Sequence, residues 1–493
     1  MGEDVARTEF SGRDRQRYRA KVRRCLDVLS RMLTEAKFDF DRPMTGVEIE
    51  FNLVDEHQDP AMRNAEILNA IANDDFQTEL GQFNIEINVQ PRTLAGDSAE
   101  QLETDLRASL NDAEKRSNDL GAHIVMIGML PTLTPEHLTH DALSANPRYA
   151  LINEQVFAAR GEDMHISIDG VQRLSTHADT IAPEAACTSV QFHLQVSPQQ
   201  YAPTWNAAQC MAGVQLALGA NSPFLFGKEL WRETRIALFE QATDTRPEEL
   251  KAQGVRPRVW FGERWITSIF DQFEENVLYF PALLPICDDE DPVDVLDRGD
   301  TPKLGELRMH NGTVYRWNRP VYDVYRGKPH LRVENRVLPA GPTVVDVLAN
   351  GAFYYGLLRT LSEEDRPIWT RMSFTAAEDN FNTGAKHGVN AHLYWPGLGE
   401  VPATELVLRR LLPMARAGLD AWGVDSAVSD RLLGVIEARC ITQLNGAEWQ
   451  ARTFHAIDDS RQPLDRRDSL REMLRRYVEN MHTNEPVHTW TPG

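Results

Sequence analysis

The run Gly46-Val47-Glu48-Ile49-Glu50-Phe51 sets carboxylates at every second position of an otherwise apolar segment. In an extended strand, residues i and i+2 share a face, so Glu48 and Glu50 project side by side while Val47, Ile49 and Phe51 cover the opposite face. A strand with that apolar side packs against a core, leaving the two acids crowded and short of water. Like charges on a partly buried face carry a heavy desolvation and repulsion penalty unless cations neutralise them. A solvated edge strand is the competing reading for an isolated Glu-x-Glu pair. For a buried pair, a divalent ion is the remedy.

Three further segments repeat the design. Phe83-Asn84-Ile85-Glu86-Ile87-Asn88-Val89 puts Asn84, Glu86 and Asn88 on one face. Ser189-Val190-Gln191-Phe192-His193-Leu194-Gln195-Val196 does so with Gln191, His193 and Gln195, and Leu331-Arg332-Val333-Glu334-Asn335-Arg336-Val337 with Arg332, Glu334 and Arg336. If these strands neighbour one another in one sheet, its polar face gathers carboxylates, an imidazole and two guanidinium groups. Such a face suits metal ions and phosphates together.

Composition narrows the setting. A chain of 493 residues accommodates several average domains or one large catalytic unit with helical decoration, and no linker separates the two readings. Hydrophobic residues at 42% and charged residues at 25% are ordinary for a globular protein with a core. A net charge of −21 and a pI near 5.2 imply no broad basic surface and argue against nucleic acid as a partner. Cys25, Cys187, Cys210, Cys287 and Cys440 are odd in number, scattered and free of C-x-x-C spacing, which points to a reduced cytoplasm and to packing thiols. The longest apolar run, residues 124–130, is too short for a membrane span, and no signal-peptide core opens the chain. The Arg-rich start contains Asp14 and precedes Asp27, as in an amphipathic helix rather than an acid-poor transit peptide.

Periodicity organises the rest. Val22, Cys25, Leu26, Leu29, Met32 and Leu33 predict a packing helix over residues 12–36, ended by a breaker at 38–43. A helix from Ser98 to about Asp119 precedes a strand at 122–130, and helices are expected at 204–220, 229–241 and 344–361. Residues 281–305 read as an irregular acidic excursion placed to cover a site, with the loop at 131–148 as the other candidate lid. The excursion's Asp288–Asp291 cluster lacks the spacing of a calcium loop. Asn311-Gly312 suggests a hairpin turn carrying His310 and Arg316. From about residue 400 the pattern is helical, which divides the chain into a catalytic domain, 1–399, and a helical C-terminal cap, 400–493.

The order of these motifs resembles the glutamine synthetase and glutamate–cysteine ligase superfamily, on its glutamate–cysteine ligase and carboxylate-amine ligase side. Residues 46–55 look like its opening signature. Glu79-Leu80-Gly81-Gln82-Phe83-Asn84-Ile85-Glu86 is similar to its second acidic segment, residues 188–193 to its histidine strand and residues 331–336 to its last catalytic strand. The resemblance implies an α+β fold with a curved, mainly antiparallel active-site sheet backed by helices. It also implies two groups of Mg²⁺ or Mn²⁺ ligands beside ATP: Glu48, Glu79 and Glu86 in one, and Glu50, His193 and Glu334 in the other, which grips the nucleotide phosphates. Arg336, with Arg332 and Arg316, would contact the transferred phosphoryl group or a substrate carboxylate.

The implied reaction activates the side-chain carboxylate of glutamate as an acyl phosphate and forms an amide with an amine, cysteine above all. Glutathione biosynthesis is the corresponding setting, and a homo-oligomer is compatible with it. Residues 307–320 depart from the cysteine ligases' acceptor pocket, so the amine stays open, and a related ligase using another acid or amine is the nearest rival. Residues after about 365 match only loosely, so the cap inherits no role. A catalytically idle nucleotide sensor is the rival from another class. Retention of so many mutually repelling charges speaks against it.

Overall fold

The alternating strands lie in one sheet. In the computed structural model, which describes residues 10–35, 38–40, 43–459 and 464–493, seven strands form it: β1 Thr45–Asp55, β2 Phe76–Thr78, β3 Asn84–Arg92, β4 Ala122–Val125, β5 Val190–Val196, β6 Asn318–Tyr325 and β7 Lys328–Asn335. Their order is β6-β7-β5-β1-β3-β2, with β4 paired to the far end of β1. Every pairing in this sheet is antiparallel. The sheet curls into a half-barrel, as the expected α+β architecture requires.

The apolar face explains why the strands form. Val47, Ile49, Phe51, Ile85, Ile87, Phe192, Leu194, Leu331 and Val333 are all buried in one hydrophobic cluster. Against it lie two helices, Pro198–Gly219 and Val344–Ser362, that are apolar nearly all round and almost wholly buried. The second of these packs on Leu412–Trp422 so closely that a Cβ at Gly418 would collide with the Gly356 carbonyl. The same cluster continues through Leu406, Leu411, Leu432 and Ile436, so the C-terminal helices share the core that backs the sheet. A second cluster, around Phe83, Ile127, Leu130 and Leu151, fills the far end of the half-barrel and extends to Trp449 and Tyr477.

Several boundaries differ from the sequence expectation. The strand expected at 122–130 ends at Val125, because only its first four residues find a partner, on β1. The helix expected at 229–241 begins at Thr234, after a short hairpin of Phe224–Leu225 with Lys228–Glu229. The buried helix expected at 204–220 starts earlier, at Pro198, capped by the Ser197 hydroxyl. Asn311-Gly312 does not turn a hairpin: it ends the helix Gly305–Asn311, and Tyr315–Arg316 pairs in parallel with Val259–Trp260.

The N-terminal helix, Gly12–Glu35, lies across the acidic excursion, with Lys21 on Glu306, Arg24 on Asp291 and Arg31 on Asp297. The excursion itself holds a helix, Pro292–Asp297, capped by Asp291. Of the breaker expected after the first helix, Asp41 and Arg42 lie outside the described residues, as does Ala36 at the helix's expected end.

Candidate active site

The polar face of the half-barrel lines a cavity of about 340 Å³. Register builds it. Glu50 on β1 stands directly opposite Glu86 on β3, Glu48 opposite Gln191 on β5, and His193 opposite Glu334 on β7. Because the side-chain period is two, one correct pairing sends every second polar residue of four strands to the same face. Gly46 is the β1 residue facing His193, and with no side chain there the imidazole lies over it.

The acids divide into two groups, and the division is not the expected one. Oxygens of Glu50, Glu79 and Glu86 lie within 4.8 Å of one another, whereas Glu48 turns to His193, with Oε1 3.1 Å from Nε2. Glu48 and Glu50 thus exchange the places that the resemblance implied. The physical reason is register: Glu50 is the β1 acid opposite Glu86, while Glu48 sits one pleat further along, on the side of β5 where His193 leans.

The two groups differ electrostatically. Burial pushes the Glu86 carboxyl well above its usual range, and the neighbouring Glu79, Glu48 and Glu50 push it further. Burial, with Glu50 beside it, lifts Glu79 to about 7. Glu50 is also raised by burial, against the pull of Arg336 and the hydrogen bonds it accepts from the Ser189 amide at 2.6 Å and Gln191 Nε2 at 3.0 Å. In the second group burial is overcome. His193 holds Glu48 at about 2, and Arg319, Arg336 and His193 hold Glu334 well below the carboxylate range. Arg319 and Arg336 each reach Glu334 Oε1 at 2.8 Å.

His193 itself is clamped. Its Nδ1 accepts a hydrogen bond from Arg332 Nε at 3.1 Å, and Tyr355 donates to its carbonyl at 3.0 Å. Its Nε2 is buried without a hydrogen-bond partner, out of line with the adjacent Glu48. With Nδ1 accepting from Arg332, the neutral ring carries its proton on Nε2, on the side of Glu48, so in this arrangement the imidazole braces Glu48 and would ligate an ion through Nε2 only on losing that proton. The other group, three carboxylates whose oxygens converge although each is penalised for its charge, has the oxygen-rich chemistry of a hard-cation site. The three-carboxylate set fits a divalent ion, and Glu48 and Glu334 on either side of the imidazole offer further oxygen donors.

Arg332 and Arg336 face the cavity. Arg316 does not share their placement: its guanidinium contacts Glu275 and Asn276 at 3.0 Å and stacks on Trp260, bordering only a smaller adjoining cavity. Among the charged cavity-lining residues that the sequence does not mark are Arg319, Glu184 and Arg148. Arg319 stands opposite Glu334 of β7 from its own strand β6, whose alternation is interrupted by Pro320. Glu184 lies on the turn Ala182–Ala186, where burial and the nearby Glu79 raise it to about 8. Arg148 opens the helix Pro147–Arg160. The only sequence signal for Glu184 was a lone acid in a run of small apolar residues.

Solved structures share this fold, two among them being a glutamate–cysteine ligase and a bifunctional glutathione synthetase. Glutamate–cysteine ligase from Francisella tularensis, determined in complex with AMP, aligns over 93% of this chain and 97% of its own at 12% identity, with a TM-score of 0.53. A bifunctional glutathione synthetase from Pasteurella multocida aligns over 93% of this chain and 55% of its own, also at 12% identity, with a TM-score of 0.51. At such identity the likeness is one of architecture. The sequence model of glutamate-cysteine ligase family 2 matches residues 44–456, and the chain belongs to that family. The match bears out the resemblance carried by the strand motifs and runs past them into the C-terminal helices. No curated protein sequence matches the chain significantly. No helix of the described residues is long and apolar enough to cross a membrane.

Proposed function

We propose that the protein is an ATP-dependent carboxylate-amine ligase that joins glutamate to an amine, cysteine being the first candidate. The observation that carries this reading is the pairing of an electron-rich end, Glu50, Glu79 and Glu86, with an end where Glu48, His193 and Glu334 are framed by Arg319, Arg332 and Arg336. Membership in glutamate-cysteine ligase family 2 supports the same chemistry.

In this reading Glu50, Glu79 and Glu86 hold one divalent ion, Mg²⁺ or Mn²⁺, and Glu48 and Glu334 another, with His193 bracing Glu48 and joining the second ion only if Nε2 gives up its proton. Such ions, when bound, screen the charge of the phosphates and of the attacking carboxylate. Arg336 and Arg319 place positive charge where the γ-phosphoryl group would lie, which eases the approach of one anion to another. A substrate carboxylate oxygen attacks the γ-phosphorus, the bond to the β-phosphate oxygen breaks, and ADP leaves. The amine nitrogen then attacks the acyl carbon, phosphate departs and the nitrogen loses a proton. Arg332 acts through His193, fixing the tautomer whose Nε2 proton lies on the side of Glu48. Arg316 buttresses the wall through Glu275.

The test is ADP and phosphate release from Mg-ATP. Glutamate with cysteine is expected to release both at least tenfold faster than ATP alone, and Glu334→Ala to abolish the stimulation. Stimulation by another amine but not by cysteine would transfer the assignment to the rival ligase. Nucleotide binding with no amine-dependent release, across a panel of amino acids and amines, would leave only the sensor.

A further inference from the structure

Away from the active-site cavity, one carboxylate and two imidazoles meet where three elements cross. Glu114 lies on the helix Ser98–Asn118, His123 on β4, and His482 on the last turn of the helix Arg466–Thr483. Glu114 Oε1 stands 3.0 Å from His123 Nδ1 and 3.6 Å from His482 Nε2. Its other oxygen, Oε2, accepts the Ile124 amide at 2.7 Å, which fixes the plane of the carboxylate. A ligating group oriented in this way by a backbone contact is a common feature of metal sites.

The separations indicate what the group suits. Ligand atoms about 2.0–2.1 Å from a tetrahedral Zn²⁺ stand roughly 3.4 Å from one another, and the two distances from Oε1 straddle that value. A structural ion pair needs only one imidazole. Here a second ring approaches an oxygen already engaged by the first, and Glu114 raises His123 above its ordinary value, so a proton occupies part of the place an ion would take. His482, 41% exposed, is free to turn its ring inward and close the set. Beside it lies a cavity of about 90 Å³, lined by Glu114, His482 and Met481, with room for water in a fourth position.

We propose that Glu114, His123 and His482 form a zinc site, in which Glu114 Oε1, His123 Nδ1 and His482 Nε2 bind one Zn²⁺ and water completes a tetrahedron. The ion fastens the C-terminal helix to β4 and to the helix Ser98–Asn118, a structural role independent of the ligase reading. Two imidazoles and one carboxylate select Zn²⁺ over Mg²⁺, whereas the all-oxygen set of Glu50, Glu79 and Glu86 suits the harder ion. The two sites therefore part by metal.

The experiment titrates the metal-stripped full chain with Zn²⁺ by calorimetry in millimolar Mg²⁺, which occupies the active-site carboxylates, and repeats the titration on His123→Gln, His482→Gln and Glu114→Gln. Wild-type protein is expected to bind one equivalent with micromolar or tighter affinity. Each variant should lose at least the roughly 10- to 100-fold that even an outer-shell change costs a metal site. Co²⁺ in place of Zn²⁺ should give wild-type protein the intense visible absorption of a four-coordinate ion, and His482→Gln should lack it. Melting in EDTA shows that each variant folds. The rise in melting temperature on adding Zn²⁺, present in wild type and absent in His482→Gln, reads the site even where a variant is destabilised. Zinc bound as tightly by the three variants as by wild type would overturn the site, and so would no uptake of zinc in excess Mg²⁺.

Discussion

Glu79 and Glu184 line the same cavity as Glu48 and Glu334 yet are perturbed in the opposite direction, and this fixes how stability depends on pH. A carboxyl whose folded value is about 7 or about 8, against an ordinary 4.5, holds its proton in the folded state where the unfolded chain has released it. These two groups therefore weaken the fold as pH rises from 4.5 through about 8. Glu48, held at about 2, works the other way, but its contribution is complete above 4.5 and lost only below it. Between pH 6 and 8 these two act in the same direction as the other carboxyls that burial raises, Glu86 and Glu240 among them. The metal-free protein is expected to melt several degrees higher at pH 6 than at pH 8, and millimolar Mg²⁺ should flatten the difference by supplying the cation that the proton replaces. Differential scanning fluorimetry reads both, and a metal-free melting point that climbs with pH over this interval would refute the account.

The residue scale also shows what was legible in the sequence. Glu48, Glu50, Glu86, His193 and Glu334 stood out because a period of two leaves no alternative for a polar residue between buried neighbours. The split into two groups did not, since it depends on which strand lies on which side of β1, information carried by register rather than spacing. Arg148 and Glu184 sit at the start of a helix and on a short turn, where no period marks a face.

Among elements, the strands and long helices were readable where one face or the whole surface was apolar, as in β1 and in Val344–Ser362. Errors fell where a partner decides the outcome. The apolar run after β4 is buried without strand partners, and Asn311-Gly312 ends a helix because Asn311 is bound by Asn276 and by the Pro320 carbonyl. The helix Leu412–Trp422 depends on a different kind of signal, a glycine whose absence of side chain lets two backbones meet. Gly418→Val would force this helix off Gly356, an overpacking expected to cost about 1–3 kcal/mol. Urea unfolding should show the loss as a lower midpoint at unchanged slope. A midpoint equal to that of the wild type would mean that the helix relaxes freely. Because Tyr355, on the helix carrying Gly356, donates to the His193 carbonyl, the same variant is expected to lower turnover as well.

At the scale of the molecule, the C-terminal helices are bound to the catalytic sheet by buried polar groups as well as by apolar packing. Arg439, 1% exposed, donates to Asp346 at 2.8 Å and to Asn350 at 2.7 Å, and Asp346 also accepts the Val487 amide at 3.0 Å. Tyr477 bridges the Met126 carbonyl and the Asn221 side chain, at 2.8 Å each, and Gln450 donates to Asn221 at 2.8 Å. A chain cut after residue 399 would deprive Asp346 and Asn221 of these partners and would remove the helix Leu412–Trp422 packed against Gly356. Breaking one buried ion pair from one side costs about 3–5 kcal/mol, already a large part of the roughly 5–15 kcal/mol that holds a whole protein folded. We therefore expect residues 1–399 alone to lack a cooperative urea transition and a native near-ultraviolet dichroism spectrum, whereas the full chain unfolds with Trp449 and Trp205 reporting the same midpoint. A truncated chain with a sharp transition would make residues 400–493 a separable cap, and the polar network joining them to Asp346 and Asn221 would then be a docking contact rather than part of the fold.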